Sequence, residues 1–266
     1  MSEQIQADEL FKIGRRLAEV FLGKLRETGR LGNTEHQRAM LFFFCKAYKS
    51  YQAVQLLWQN GFVEDAYTLA RSIYEIRLQV ILMSGDPVQR SKLFTDHWFK
   101  TGYGTLQIMK RQFPKRDEEL KQGEGDIRAG ATASGRTGLL HDAEAAERSI
   151  RKKWWGGSIK GLLKQLNVGL EVTCKSLNQI RQWDYETEYD IIYSQLSDYT
   201  HSGVRLFHKF LTEECYRPTK SAAILVPFSV TDWLSQIVGY AARAVQIDLD
   251  KIVAEEQQKA QSIAKR

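Results

Sequence analysis

Apolar positions recur at helical spacing along most of the chain, so the sequence predicts an all-α protein. Residues 8–28 give the first example, because their apolar side chains fall at intervals that suit a helix with one buried face. These side chains are Leu10, Phe11, Leu17, Val20, Phe21 and Leu25.

The strongest pattern predicts two long helices, over residues 35–59 and 63–84. Thr34 can cap the first helix, and Asn60-Gly61 is a natural stop after it because both residues tolerate the left-handed conformation. The second helix ends before Gly85-Asp86-Pro87. Since so short a turn joins them, the two helices are expected to form an antiparallel αα-hairpin.

The chain changes character after a third predicted helix at 88–112. Residues 114–150 contain five glycines, many charges and no aromatic side chain. A segment of this composition buries too little apolar surface to offset the entropy of ordering it. The sequence therefore predicts a mobile insertion over residues 114–150, whose tail, DAEAAERSIRKK, can be helical.

Further helices are predicted at 158–166, 172–182, 186–214 and, at the C-terminus, 229–263. Between the last two, Pro218 and Pro227 bracket a short apolar piece, AAILV, that is expected to be extended. The whole of residues 1–266 is predicted to be one helical domain, a bundle built on the αα-hairpin with its core in residues 36–215.

Composition narrows the class of protein further. The longest apolar block, Met40–Cys45, has six residues, whereas a membrane-spanning helix needs about 20, so no membrane contact is expected. The polar N-terminus is unlike a secretory signal, and three scattered cysteines indicate neither disulfides nor a cysteine zinc site. A cytoplasmic protein without a cofactor is the resulting prediction.

The formal charge of +6 favours anionic partners, such as RNA or another anionic ligand. The basic residues are spread along the chain, so a solvated surface explains them equally well. A protein partner and a homodimer stay open as alternatives.

Two groups of polar residues could carry chemistry, and the first is Arg71 with Glu75. A spacing of four residues places both side chains on one face of a helix. Their neighbours are apolar, so the pair is expected to be half-buried. An ion pair that fixes the hairpin is the structural alternative to a binding or catalytic role.

The second group lies in the predicted helix 186–214, where Tyr193, Ser197 and His201 follow one another at intervals of four. Asp198 and Arg205 flank His201 on the same helix. A histidine with a pKa near 6.5 can exchange a proton at neutral pH, although a purely structural histidine is the alternative. No spacing typical of metal ligands occurs among the five histidines, so no metal site is predicted.

In a helical bundle the two groups could face one pocket. Arg71 would then bind a phosphate or carboxylate, His201 would transfer a proton, and Glu75 would orient one of them. Tyr193, Ser197, Asp198 and Arg205 would line the same pocket as binding residues.

The run KSYQAVQLLWQNGFVEDAYTLARSIYEI and the later YSQLSDYTHSG resemble a bacterial helical family known as domain of unknown function 5677. The resemblance covers about residues 36–212, and its most specific parts are the ARSxxE element at 70–75 and Ser197-x-x-x-His201. It implies a helical bundle of bacterial origin and no established activity. Such families are distantly similar to the HEPN helical ribonucleases, which carry an Arg-x(4–6)-His motif on a late helix. Three stretches match the bare spacing, Arg30…His36, Arg90…His97 and Arg136…His141, but none has the polar Asn, Asp or His usually found next to that arginine, so a standard HEPN motif is absent.

Two functions follow as the main hypotheses, and another small-ligand enzyme or a sensor stays open as a third. The first is a helical binding or interaction module of a bacterial defence or stress-response pathway. The alternative is a divergent, metal-independent ribonuclease in which Arg71 stabilises the anionic transition state, His201 is the general acid or base, and Glu75 is the orienting group.

Overall fold

The computed structural model describes residues 3–29, 32–156, 161, 163–164 and 220–265. Within these residues the chain is helical and contains no strand, which confirms the predicted all-α class. The α-helices are α1 (Glu3–Thr28), α2 (Glu35–Gln59), α3 (Val63–Gly85), α4 (Pro87–Gln112), α5 (Asp117–Ala133), α6 (Ala143–Ile150), α7 (Lys220–Ala244) and α8 (Asp250–Ala264). Short 3-10 helices at Pro114–Arg116 and Thr137–Leu140 flank α5.

The contacts divide the chain into two compact units. Unit 1 combines Met1–Gly85 with Leu163–Arg266, and unit 2 is the intervening Asp86–Leu162. The single domain of residues 1–266 stays a prediction. The helices expected at 172–182 and 186–214, and most of the one at 158–166, lie outside the described residues.

The predicted αα-hairpin is confirmed in unit 1, where α2 and α3 pack along each other. Thr34 caps α2 through a reciprocal pair of hydrogen bonds with Gln37, the arrangement known as a capping box. At the other end Gly61 adopts a φ of 81°, and Phe62 N–H donates to the Leu57 carbonyl. These bonds satisfy the last carbonyl groups of α2, which is why the chain turns here.

Helix α7 is the centre of unit 1, because it packs against α1, α2, α3 and α8. Its Trp233 ring lies edge-on to Tyr74 of α3, with the ring centroids 5.0 Å apart. A second aromatic contact, between Phe21 of α1 and Phe44 of α2, has a centroid distance of 4.8 Å. Burial of these rings supplies much of the apolar stabilisation of the unit.

A buried polar junction joins α1, α2 and α7. The Tyr51 hydroxyl lies 2.9 Å from Thr231 Oγ1 and donates to the Phe11 carbonyl at 3.1 Å, while Thr231 donates to the Leu10 carbonyl. Both side chains are fully buried, and burial is the main cause that raises the pKa of Tyr51. Each hydroxyl therefore stays neutral and bonded, as a buried polar group must.

The C-terminal predictions are wrong in two respects. The piece AAILV is helical, because α7 starts at Lys220 and continues through Pro227. Proline fixes a φ that a helix also uses, and the loss of one hydrogen bond is offset by the burial of Val226 and Val230. The single helix expected at 229–263 is instead broken between α7 and α8, at Gln246, whose φ is 58°.

Helix α6 (Ala143–Ile150) confirms that the tail of the segment 114–150 is helical. The remainder of the segment, expected to be a mobile insertion, is helical as well. These residues form α5, α6 and the two 3-10 helices, which pack on α4. A small core holds them together, made of Phe99, Tyr103, Ala131, Leu140 and Ala146.

Small residues explain how a segment without aromatic side chains can pack in this way. A Cβ atom at Gly104 would lie 2.6 Å from the backbone of Ala146, so α4 and α6 approach as closely as glycine allows. Ion pairs then cover the contact, with Arg111 holding Glu147 through two hydrogen bonds and Lys110 pairing with Glu124.

Candidate functional site

Helix α3 carries the first predicted group, and it is closely surrounded. From Ala66 to Ser84 every residue is buried or half-buried, and none is exposed. Five half-buried polar residues lie within an arc of about 100° on this helix. We call them the α3 polar stripe: Thr68, Arg71, Ser72, Glu75 and Gln79.

Arg71 and Glu75 form the charged part of the stripe, as the sequence predicted. Arg71 Nε donates to Glu75 Oε1 at 3.2 Å, and the two side chains are 22% and 26% exposed. An ion pair at this depth is partly screened by solvent, so it is worth less than a fully buried pair. Both side chains keep a partial exposure to solvent.

Two other stripe residues, Thr68 and Gln79, bond to their own helix. Thr68 donates to the Glu64 carbonyl at 3.3 Å, and Gln79 Nε2 donates to the Glu75 carbonyl at 3.2 Å. These bonds to the helix backbone restrain the side chains around Arg71. The stripe is consequently a preformed polar surface on a rigid helix.

A polar network that the sequence did not indicate lies on the opposite face of α3. Arg77 is fully buried there, and its Nε donates to Gln236 Oε1 of α7 at 2.8 Å. Gln236 in turn donates to Asp232 at 2.7 Å, and Gln257 of α8 donates to the same carboxylate at 3.3 Å. The network ties three helices together. In the sequence this network is indicated only weakly, by an arginine between the apolar residues Ile76 and Leu78.

The second predicted group cannot be placed beside the first. His201, Tyr193, Ser197, Asp198 and Arg205 all lie outside the described residues. Their convergence with Arg71 and Glu75 therefore stays a prediction.

A cavity of about 540 Å³ between α1 and α8 was not predicted either. Glu256 is the buried charge in its wall, 4% exposed, and it pairs with Lys259 at 2.8 Å and with Arg16 at 3.5 Å. On the α1 side Lys12 pairs with Glu9. Because its residues come from opposite ends of the chain, no local motif could have pointed to this cavity.

Possible metal and proton-transfer residues are few in the part of the chain that the structure describes. It holds no group of three or more histidine, cysteine, aspartate or glutamate side chains placed to bind a metal ion. His36 and His97 are half-buried, and in both burial is the main cause that lowers the pKa. Neither lies in the α3 polar stripe.

No helix among the described residues combines the length and the apolar character that crossing a membrane requires.

Comparison with known proteins identifies a family. The model of a family described as a family of unknown function (DUF5677) matches residues 37–216, about two thirds of the chain. This range includes the αα-hairpin and the α3 polar stripe, and it confirms the resemblance seen in the sequence. No curated protein and no solved structure matches.

Proposed function

We propose that this chain, which belongs to the family of unknown function DUF5677, is a helical binding module of a bacterial defence or stress-response pathway. The observation that carries the proposal is the α3 polar stripe, with an accessible Arg71–Glu75 pair on a helix that is otherwise enclosed. The module would act in the cytoplasm, on an anionic ligand or a protein partner, alone or as a homodimer.

The choice of ligand class rests on the chemistry of Arg71. A guanidinium presents planar donors that match phosphate and carboxylate groups, and it binds them best where water is partly excluded. Glu75 holds the guanidinium in place through Nε. Tyr193, Ser197, Asp198, His201 and Arg205 complete the proposed binding surface.

Binding is preferred to catalysis because binding needs only the α3 polar stripe, whereas catalysis also needs a proton-transfer group beside the stripe. Catalysis by an arginine requires that its charge act on the reacting phosphate in the transition state. The ribonuclease hypothesis further needs His201 within hydrogen-bonding reach of the same phosphate. We therefore treat ribonuclease activity as the competing outcome of the experiment.

The proposal is tested with the variants Arg71→Ala and Glu75→Gln, with Arg243→Ala as the matched control. Arg243 also forms an arginine–carboxylate pair, with Asp250 at 2.8 Å, but on the surface of α7. Thermal unfolding is followed with inorganic phosphate, a nucleoside triphosphate and a dicarboxylate as probes. A probe at 100 times its dissociation constant raises the stability of the folded protein by about 2.7 kcal/mol.

We expect at least one probe to raise the melting temperature of the wild type and of Arg243→Ala, but not that of Arg71→Ala. A shift that survives in Arg71→Ala, or no shift with any probe, would contradict the proposed anion site. A parallel RNA-degradation assay in EDTA compares the wild type with Arg71→Ala and His201→Ala. If both substitutions abolish RNA cleavage while the circular dichroism spectrum stays unchanged, the ribonuclease hypothesis replaces the proposed binding module.

A further inference from the structure

The positive charge of the chain is concentrated in one of the two units. Residues 86–162 hold 15 lysines and arginines against 10 aspartates and glutamates, a net charge of +5. The rest of the chain holds 23 against 22, a net charge of +1. The net positive charge of the protein therefore comes mainly from unit 2.

Part of this charge has no opposite charge beside it. Arg111, Arg128 and Arg136 pair with carboxylates of the unit. Among the described residues, by contrast, no carboxylate lies within ion-pair distance of four further cations. These are Lys100 of α4 and the consecutive Arg151, Lys152 and Lys153, of which the last three are exposed.

The cations of the two segments converge. Lys100 and Lys153 are 53 positions apart in sequence, yet both act on the half-buried His97. After burial, their positive charges are the causes that lower the pKa of this histidine. Like charges repel, so such an arrangement is unfavourable unless an anion balances it.

Aromatic rings hold the basic segment against α4. The Trp154 ring packs edge-on against Phe94 of α4, with the centroids 5.7 Å apart, and against Trp155 at 5.9 Å. Lys153 Nζ lies 5.6 Å from the centre of the Trp155 ring. The cations and a partly exposed indole ring therefore form one surface on an ordered support.

We propose that this basic aromatic surface, made of His97, Lys100, Arg151, Lys152, Lys153 and Trp155, binds single-stranded nucleic acid. Lysine and arginine neutralise phosphates along a strand, and an indole ring can stack with a base. The proposal goes beyond the function assigned to the α3 polar stripe and does not depend on it.

An anionic membrane surface suits the same charges less well. Membrane binding by a helix requires a continuous apolar face beside the basic one. Along α4 the exposed apolar residues Val88, Leu93 and Trp98 recur every five positions, so each is turned by about 140° from the one before and the three form no continuous apolar face.

The test compares two triple variants with equal net charge. Arg151→Ala/Lys152→Ala/Lys153→Ala removes three cations from the surface, and Lys92→Ala/Lys115→Ala/Lys121→Ala removes three exposed cations elsewhere in unit 2. Binding of a fluorescein-labelled 20-nucleotide RNA is measured by anisotropy at several salt concentrations. Each phosphate contact contributes about −0.7 to the slope of log K against log salt, so the first variant should flatten this slope by about 2.

We expect the first variant to bind RNA at least about tenfold more weakly than the second, with both circular dichroism spectra unchanged. Equal losses would show general attraction to a basic protein and would overturn the proposed surface. Should the first variant fail to fold, Arg151→Ala/Lys152→Ala keeps Lys153 on Trp155 and should still bind RNA more weakly than its matched control Lys92→Ala/Lys115→Ala.

Two further arms separate this surface from other sites. Phosphatidylserine vesicles replace RNA in one arm, and a loss of vesicle binding with RNA binding intact would overturn the proposal. Arg243→Ala, which lies outside both proposed sites, is used in the other arm and should bind RNA like the wild type. The anion site on α3 is tested by the melting-temperature shift and the basic aromatic surface by RNA anisotropy, so failure of one is distinguishable from failure of the other.

Discussion

Gly14 of α1 lies directly against the Tyr51 hydroxyl of α2. A Cβ atom at this position would lie 2.2 Å from the Tyr51 hydroxyl oxygen, in the buried junction with Thr231. Tyr51 is fully buried and held by hydrogen bonds to three different groups, so its ring has no free space into which it could move. The absence of a side chain at Gly14 is thus what lets α1 approach α2.

Gly14→Ala and Gly23→Ala should change stability in opposite directions. Gly14→Ala overfills the junction and is expected to lower the free energy of unfolding by about 1–3 kcal/mol. Gly23 lies in the same helix, and a Cβ atom added there would have no other atom within 4 Å, so alanine should raise stability by about 0.5–1 kcal/mol. Urea unfolding followed by circular dichroism measures both. A neutral Gly14→Ala would mean that the Tyr51 junction is loosely packed.

At the scale of elements, the helix break after α7 is an unusual one. Gln246 N–H donates to the Arg243 carbonyl and Ile247 N–H donates to the Ala242 carbonyl, the bond pattern of a Schellman motif. Glycine normally occupies the left-handed position of this motif, but here it is Gln246, with a φ of 58°. The side chain of Ile247 is buried just beyond it and anchors the turn.

Replacing Gln246 with glycine should therefore stabilise the protein. A left-handed residue with a Cβ is strained by about 1–2 kcal/mol, and we expect Gln246→Gly to raise the free energy of unfolding by roughly 0.5–1 kcal/mol. Gln246→Ala retains the Cβ and is the control that should bring no such gain. Thermal melts of the two variants provide the measurement, and equal stabilities would argue against strain at this residue.

An element can be predicted from the sequence when the residues that determine it lie close to it in the chain. The αα-hairpin was predictable because Thr34, Asn60 and Gly61 act within a few residues of the turns they make. The helical packing of residues 114–150 was not, because it depends on the distant Gly104. The helix break at Gln246 was not predictable from the sequence either, because the turn there depends on the burial of Ile247.

The same distinction applies to the candidate site. The contact between Arg71 and Glu75 followed from their spacing on one helix, and it is present at 3.2 Å. The burial of Arg77 depends on Gln236, 159 positions later in the chain, and the convergence at His97 depends on Lys153. Pairings across such separations are set by tertiary packing, which no local pattern encodes.

At the scale of the whole molecule, the two ends of the chain meet in unit 1. Helix α1 packs on both α7 and α8, and Arg16 of α1 reaches the buried Glu256 of α8. Unit 2 has a separate core around Phe99 and Tyr103. Stability is accordingly shared between segments that are far apart in sequence.

Removing α8, by ending the chain after Leu249, tests whether the two chain ends stabilise each other. Val253 and Ala260 are buried against unit 1, and their loss uncovers α1 and α7. We expect amide hydrogen exchange, measured by mass spectrometry, to become faster in α1 and α7 while α4–α6 keep their protection. Faster exchange confined to α7, with α1 unchanged, would contradict the coupling of the two chain ends.

The discontinuity of unit 1 also bears on how the protein is made. Helices α1–α3 leave the ribosome before α7, which packs on all three and is completed 159 residues after Gly85. At 5–20 residues per second this delay is roughly 10–30 s, during which residues 86–162 emerge in full and can already fold. The apolar faces of α1–α3 remain uncovered by α7 throughout this time, which makes the nascent chain a natural client for chaperones.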